Sequence, residues 1–229
     1  MLKILVIDDE PQIRKFLRIS LTATGYKVVE AETGAQGAES AKAESPDLVI
    51  LDLGLPDIDG QEVITLIREH SQVPIIVLSV RADETDKVEA LDRGADDYVV
   101  KPFGIGELMA RVRAASRQRS AAASDPDRLR VGGLTIDLTR RLAVRDGVEQ
   151  RLSPKEHALL SLFVHNRDKI LTHAQILREV WGPAHTHDTA YLRVYVNQLR
   201  QKLEADSARP VLIVTEPGVG YRLRTGEER

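Results

Sequence analysis

The stretch Val49-Ile-Leu-Asp-Leu-Gly-Leu-Pro-Asp-Ile-Asp-Gly60 decides how the first half of the chain is read. Its continuous apolar start suits a strand covered on both faces, and Pro56 and Gly60 break the chain just beyond it. Asp52 thereby falls at the C-terminal mouth of a buried strand, where open α/β sheets keep their chemistry. Taken alone, it fits a loop-capping aspartate equally well.

The same grammar recurs on either side. Residues 2–7 read as a strand ending in Asp8-Asp9-Glu10, 27–30 as a short strand, 75–78 as one ending at Ser79, and 97–100 as one ending at Lys101-Pro102. Helices are expected from Pro11 to Gly25, from Gly34 to about Ala43, and over 60–69, 84–93 and 107–117, each with apolar positions at helical spacing or a stop at Gly or Pro. Five repeats of strand then helix predict an α/β fold, a (βα)5 doubly wound parallel sheet. Asp8, Asp9, Asp52, Ser79 and Lys101 each stand just past a different strand, so the sheet gathers them at one edge.

Three carboxylates brought together repel one another unless a cation sits among them. Oxygen-only ligands suit Mg²⁺, with Mn²⁺ as a substitute. Lys101 offers a second cation to a phosphoryl group and Ser79 a hydroxyl to one of its oxygens. A carboxylate nucleophile, a metal and an ammonium are what covalent phosphoryl capture needs. Singly, Asp8 or Asp9 reads as a helix cap, Ser79 as a turn residue and Lys101 as a solvated loop lysine.

The chain has 229 residues, enough for two ordinary domains, and no cysteine, which excludes disulfides, zinc ribbons and thiol catalysis. The N-terminal apolar run is too short for a signal peptide, and no stretch approaches the roughly 18–20 apolar residues of a membrane span. A soluble, cytoplasmic protein with no membrane partner is expected. Residues 1–120 carry 15 Lys/Arg against 21 Asp/Glu and residues 121–229 carry 17 against 14, an acidic front (−6) and a mildly basic back (+3). That split suits a metal or phosphate site followed by a polyanion-binding module.

Residues 119–127 are small and polar and read as a linker between a first domain, 1–118, and a second, 128–226. In the second, short alternating runs at 129–131, 134–138 and 142–144 precede the hairpin signal Asp146-Gly147. Ser153-Pro-Lys-Glu156 is a capping-box helix start. Two further helices, 172–181 and about 189–204, lead to a hairpin turning through Glu216-Pro-Gly-Val-Gly220. On the last helix Leu192, Val196, Leu199 and Leu203 form a buried stripe. Thr189, Arg193, Asn197 and Arg200 share another face, whose hydroxyl, amide and guanidinium groups suit base edges and phosphates. His185-Thr-His187 lacks a third ligand for a metal.

Residues 1–118 resemble the receiver domain of two-component response regulators through Asp8-Asp9, Leu51-Asp52-Leu-Gly-Leu-Pro56 with Gly60, Ser79, Gly94-Ala-Asp-Asp-Tyr98 and Lys101-Pro102-Phe103. The resemblance implies phosphorylation of Asp52 by a sensor histidine kinase and Mg²⁺ held by Asp9, Asp52 and the Gly54 carbonyl, with Asp8 acting through water. It makes Ser79 and Tyr98 the switch. It also implies a homodimer through the charges Lys87, Asp97, Glu107 and Arg111, beside which Asp96 and Arg117 stand.

Residues 128–224 resemble the winged helix-turn-helix output domain of the OmpR/PhoB subfamily, a smaller α+β domain, through Leu152-Ser-Pro-Lys-Glu156, Leu199-Arg-Gln-Lys-Leu203 and Gly218-Val-Gly-Tyr-Arg222. The helix 189–204 would enter the major groove of double-stranded DNA. The wing tip, Thr215-Glu-Pro-Gly218, lacks the arginine that relatives often carry, so Thr215, Tyr221 and Arg222 are expected on the DNA backbone.

Details at 103–108, 191–195 and the wing look closest to a potassium-responsive member acting at a potassium-transport operon. The whole implies a transcription regulator with RNA polymerase as a further partner and, as chemistry, only self-phosphorylation and self-dephosphorylation at Asp52. A metal-dependent aspartyl phosphatase competes, but Gly54 stands where its general acid would be. A phosphate-independent dimer module is the third reading.

Overall fold

The computed structural model describes the backbone of residues 2–121 and 125–226, and the side chains of these except 117–121. They form two compact units, Met1–Ser116 and Arg117–Arg229.

The first unit alternates strand and helix: β1 (Lys3–Ile7), α1 (Pro11–Ala23), β2 (Lys27–Ala31), α2 (Gly34–Glu44), β3 (Leu48–Asp52), α3 (Gly60–Arg68), β4 (Ile75–Ser79), α4 (Glu84–Asp92), β5 (Asp97–Val100) and α5 (Ile105–Ala121). All pairings are parallel, in the order β2-β1-β3-β4-β5. Ile7 pairs with Leu51, Asp52 with Leu78 and Ser79 with Val100, so neighbouring strands end nearly level. This register collects the polar residues that follow each strand.

Strand side chains alternate between faces. Ile4, Val6, Leu48, Ile50, Ile76, Leu78 and Val99 pack with Leu17 and Leu21 of α1 and Leu108, Met109 and Val112 of α5. Leu5, Ile7, Val49, Leu51, Ile75 and Val77 are buried as well, as are Val63, Ile64 and Ile67 of α3. Each such side chain contributes roughly 1.5–3 kcal/mol of burial, which is why these strands read as continuous apolar runs. α5 is longer than the expected 107–117. Its Ala- and Arg-rich end continues the helix to Ala121, into what reads as a linker, because those residues are strong helix formers whatever their polarity.

The second unit opens with an antiparallel sheet in the order β6 (Arg128–Val131), β7 (Leu134–Asp137), β8 (Leu142–Arg145), β9 (Val148–Glu149). Three helices follow, α6 (Pro154–His165), α7 (His173–Trp181) and α8 (Thr189–Leu203). β10 (Ile170–Thr172) precedes α7, and the hairpin β11 (Ile213–Glu216) and β12 (Gly220–Leu223) closes the unit, giving the sheet order β10-β12-β11. Both Ser153 and Thr172 complete capping boxes, with Glu156 and Gln175 respectively. Leu159, Phe163, Ile176, Leu177 and the α8 stripe Leu192, Val196, Leu199 and Leu203 share one core. Gly220 lies so close under β10 that a Cβ would sit 1.9 Å from the Leu171 carbonyl oxygen.

Candidate functional site

Asp52 sits at the end of β3, 6% exposed, and Asp8 just past β1, 1% exposed. Between them lies the Lys101 ammonium, 2.8 Å from Asp52 Oδ2, 3.0 Å from Asp8 Oδ2 and 3.3 Å from Glu10 Oε1. Burial alone would lower the Lys101 pKa, but the hydrogen bonds and charges of Asp52 and Asp8 outweigh it and hold it above the ordinary lysine value. The Asp8 carboxyl is raised, chiefly by burial and against the pull of Lys101. Gly60, in the stretch that began the reading, packs on this site's backbone: a Cβ there would lie 2.5 Å from the Asp52 carbonyl oxygen and the Leu53 Cα.

The acidic cluster differs from the expected one in one member. Carboxylate oxygens of Asp8, Glu10 and Asp52 lie within 4.8 Å of one another, and Asp9 is exposed outside this group. Oxygen donors alone fit a hard divalent cation such as Mg²⁺. The Gly54 amide donates to Asp52 Oδ1 at 3.2 Å, which places the residue proposed to offer a carbonyl directly beside the acceptor.

Ser79 Oγ accepts from the Arg81 amide at 3.1 Å, and Tyr98 Oη donates to the Arg81 carbonyl at 2.8 Å. Arg81 also pairs with Asp59 at 2.8 Å, and Asp59 caps α3 through the Gln61 amide. Ser79 and Tyr98 are thus joined through one loop residue, Arg81, that no sequence motif singles out. Burial pushes the Tyr98 hydroxyl up. Asp57, another residue of the opening stretch, accepts from the Gly34 and Ala35 amides at 2.8 and 2.9 Å and so fastens the loop after Asp52 to α2.

Of the charges expected on a dimer face, Asp96 is buried. It accepts from Arg68 Nη2 at 2.9 Å and the Ile75 amide at 2.8 Å, so it ties α3 to β4 instead. Asp97 and Arg111 meet at 2.7 Å within one chain, and Arg111 also reaches Glu107 at 2.8 Å. A second copy would therefore meet a preformed ladder rather than separate charges. Lys87 is half-buried on α4, and the side chain of Arg117 lies outside the described residues.

On α8, Arg193 and Asn197 are exposed and Thr189 is half-buried. Arg200 departs from the expected face. Its Nε and Nη2 donate to the Ile213 carbonyl at 3.0 and 2.7 Å and its Nη2 to Thr215 Oγ1 at 2.8 Å, locking α8 to the wing. Tyr221 is buried with its ring edge against His173, and burial raises its hydroxyl pKa. Arg222, 4% exposed, pairs with Glu216 of the neighbouring strand at 2.9 Å. Thr215 is exposed. His185 is held by Asp188 at 2.8 Å.

A buried aspartate ringed by acids and one lysine at level strand ends, followed by a winged three-helix unit, defines a phospho-receiver joined to a DNA-binding output domain. Residues 4–113 match the family described as response regulator receiver domain, and residues 147–223 the family of the transcriptional regulatory protein C terminal. The chain belongs to the OmpR/PhoB-type response regulators of two-component systems.

Within them it is 50% identical over 220 residues, 96% of this chain and 97% of the other, to the transcriptional regulatory protein KdpE of Mycobacterium tuberculosis (strain ATCC 25618 / H37Rv). It is 49% identical over 222 residues, 97% and 99% of the two chains, to the KDP operon transcriptional regulatory protein KdpE of Escherichia coli (strain K12). Among solved structures, the Thermotoga maritima response regulator DrrB, an OmpR/PhoB homologue, aligns over 98% of this chain and 99% of its own with a TM-score of 0.50 and 30% identity. The protein is a transcription regulator rather than a classical enzyme, and among the described residues no helix is long and apolar enough to cross a membrane.

Proposed function

We propose that Asp52 is the phosphoacceptor and that its phosphorylation, by a sensor histidine kinase in the cytoplasm, drives receiver dimerisation and promoter binding. The observation that carries this reading is the contact of Lys101 with Asp52 at 2.8 Å across the level ends of β3 and β5. In the transfer, an Asp52 carboxylate oxygen forms a bond to phosphorus as the bond from phosphorus to the kinase histidine nitrogen breaks, leaving an acyl phosphate. Lys101 then exchanges a carboxylate partner for a phosphoryl oxygen, and Ser79 gives its hydroxyl to another, releasing the Arg81 amide it now accepts from.

Asp8, Asp9, Asp52 and the Gly54 carbonyl would hold Mg²⁺, or Mn²⁺ in its place, with Glu10 adjoining. When bound, the metal stabilises charge on the transferring oxygens. Moving a two-state element from about 1:99 to 99:1 takes roughly 5.5 kcal/mol. One hydroxyl contact supplies only part of that, so dimerisation through the Asp97–Arg111–Glu107 ladder and Lys87 supplies the remainder.

In the second unit Arg193 and Asn197 read base edges, with Thr189 and Thr215 at the backbone. Likeness to the two KdpE proteins supports a kdp potassium-transport operon as the target, and RNA polymerase is the downstream partner in this reading. Intact-mass spectrometry after acetyl phosphate and Mg²⁺ tests the core of the reading: the wild type should gain a phosphoryl group and Asp52→Asn none. Labelling of Asp52→Asn to the same extent would sink it.

A further inference from the structure

Arg14 belongs to α1, yet it is buried, its side chain only 9% exposed. Its Nη1 donates to the carbonyl oxygens of Asp8 at 2.7 Å and Asp9 at 2.9 Å, and its Nη2 to Glu32 Oε1 at 2.6 Å. Taking a guanidinium out of water costs several kcal/mol unless its donors are paired, and here two of the three bonds go to main chain, not to the nearby carboxylates of the acidic cluster. Both carbonyls lie beyond the last residue of β1, where the sheet no longer dictates the direction of the chain.

We infer that Arg14 is a positioning residue for the divalent cation: its Nη1 holds the carbonyls of Asp8 and Asp9, and so fixes the two successive peptides that set the directions in which both side chains leave the backbone. The inference rests on the reading of Asp8, Asp9 and Asp52 as metal ligands. A rotation of either peptide would break a charge-assisted hydrogen bond. A lysine could carry the charge, but its ammonium ends one bond short of the position of Nη1.

Charge and geometry make opposite predictions here. Removing a cation beside an acidic cluster should tighten metal binding if only charge mattered. If Arg14 positions ligands, the same removal should weaken it.

The test is Mn²⁺ titration of the full-length protein by electron paramagnetic resonance, with far-UV circular dichroism and thermal melts to establish folding. Arg14→Lys keeps the charge but is one bond shorter and should raise the Mn²⁺ dissociation constant about 10-fold, the scale on which supporting residues act on metal sites. Arg14→Met should weaken binding as well. Glu32→Gln, which removes the ion-pair partner and leaves both carbonyl bonds, should bind as the wild type does. Wild-type affinity in folded Arg14→Lys, tighter binding in Arg14→Met, or an equal loss in Glu32→Gln would each overturn the inference. Failure of the wild type itself to bind Mn²⁺ would instead overturn the metal-site reading beneath it.

Discussion

Lys202 Nζ lies 2.6 Å from Glu156 Oε1 and 2.7 Å from Oε2, joining α8 to the first turn of α6. Glu156 is nearly inaccessible, and the same carboxylate accepts from the Ser153 amide at 2.6 Å to close the capping box. One buried anion thus serves both the start of α6 and the seating of α8. Lys202→Met leaves it without its cation and should destabilise the second unit by about 3 kcal/mol, the lower end for breaking a buried pair. Thermal melting of that unit measures it.

The same carboxylate gives a pH dependence. Burial would raise the Glu156 pKa, but the Lys202 hydrogen bond and the Ser153 contacts hold it below the ordinary value of 4.5. A depressed native pKa contributes stability that is fully present above the unfolded value and lost as pH falls through and below it. Acid unfolding of the second unit should therefore steepen below about pH 4.5, and Glu156→Gln should flatten that slope while lowering stability at neutral pH.

Arg193 and Arg200 should separate. Arg193→Ala should weaken operator binding and reduce the slope of log affinity against log salt by about 1 if it meets a phosphate, or relax specificity if it reads a base. Arg200→Ala removes the bonds to Ile213 and Thr215 and should cost about 2 kcal/mol of stability, with less change in the salt slope. Fluorescence anisotropy over a salt series, beside thermal melts, distinguishes them.

Lys101→Met should slow phosphorylation of Asp52 by acetyl phosphate on the order of 100-fold, the usual cost of losing one preorganised cation or donor at a developing anion. Single-turnover labelling kinetics read this directly. A rate near that of the wild type would remove Lys101 from the chemistry.

Much of the receiver was legible because each buried strand is a short apolar run closed by a polar residue, and parallel pairing with level ends leaves those residues only one edge to share. The placement of Asp8, Asp52, Ser79 and Lys101 followed from that alone. The approach of Glu10 to Asp8 and Asp52 did not, since how side chains turn after a strand ends depends on contacts made by the loop.

The partners of Asp96, Arg200 and Arg222 within the chain were not legible for a related reason. A charge pattern along one element does not say whether its partner is another molecule or another element of the same chain: Asp96 meets Arg68, Arg200 the Ile213 carbonyl and Arg222 Glu216. Arg14 was passed over because it interrupts an apolar helix face, where an arginine ordinarily reads as solvated.

A switch at Asp52 is tested most directly by operator affinity measured with and without acetyl phosphate for the wild type and Asp52→Asn. Phosphodonor should tighten wild-type binding by at least about 10-fold, a bias of roughly 1.4 kcal/mol, together with dimer formation, and should leave Asp52→Asn unchanged. Equal affinity in the wild type with and without the donor, or the same tightening in Asp52→Asn, would contradict a switch at Asp52.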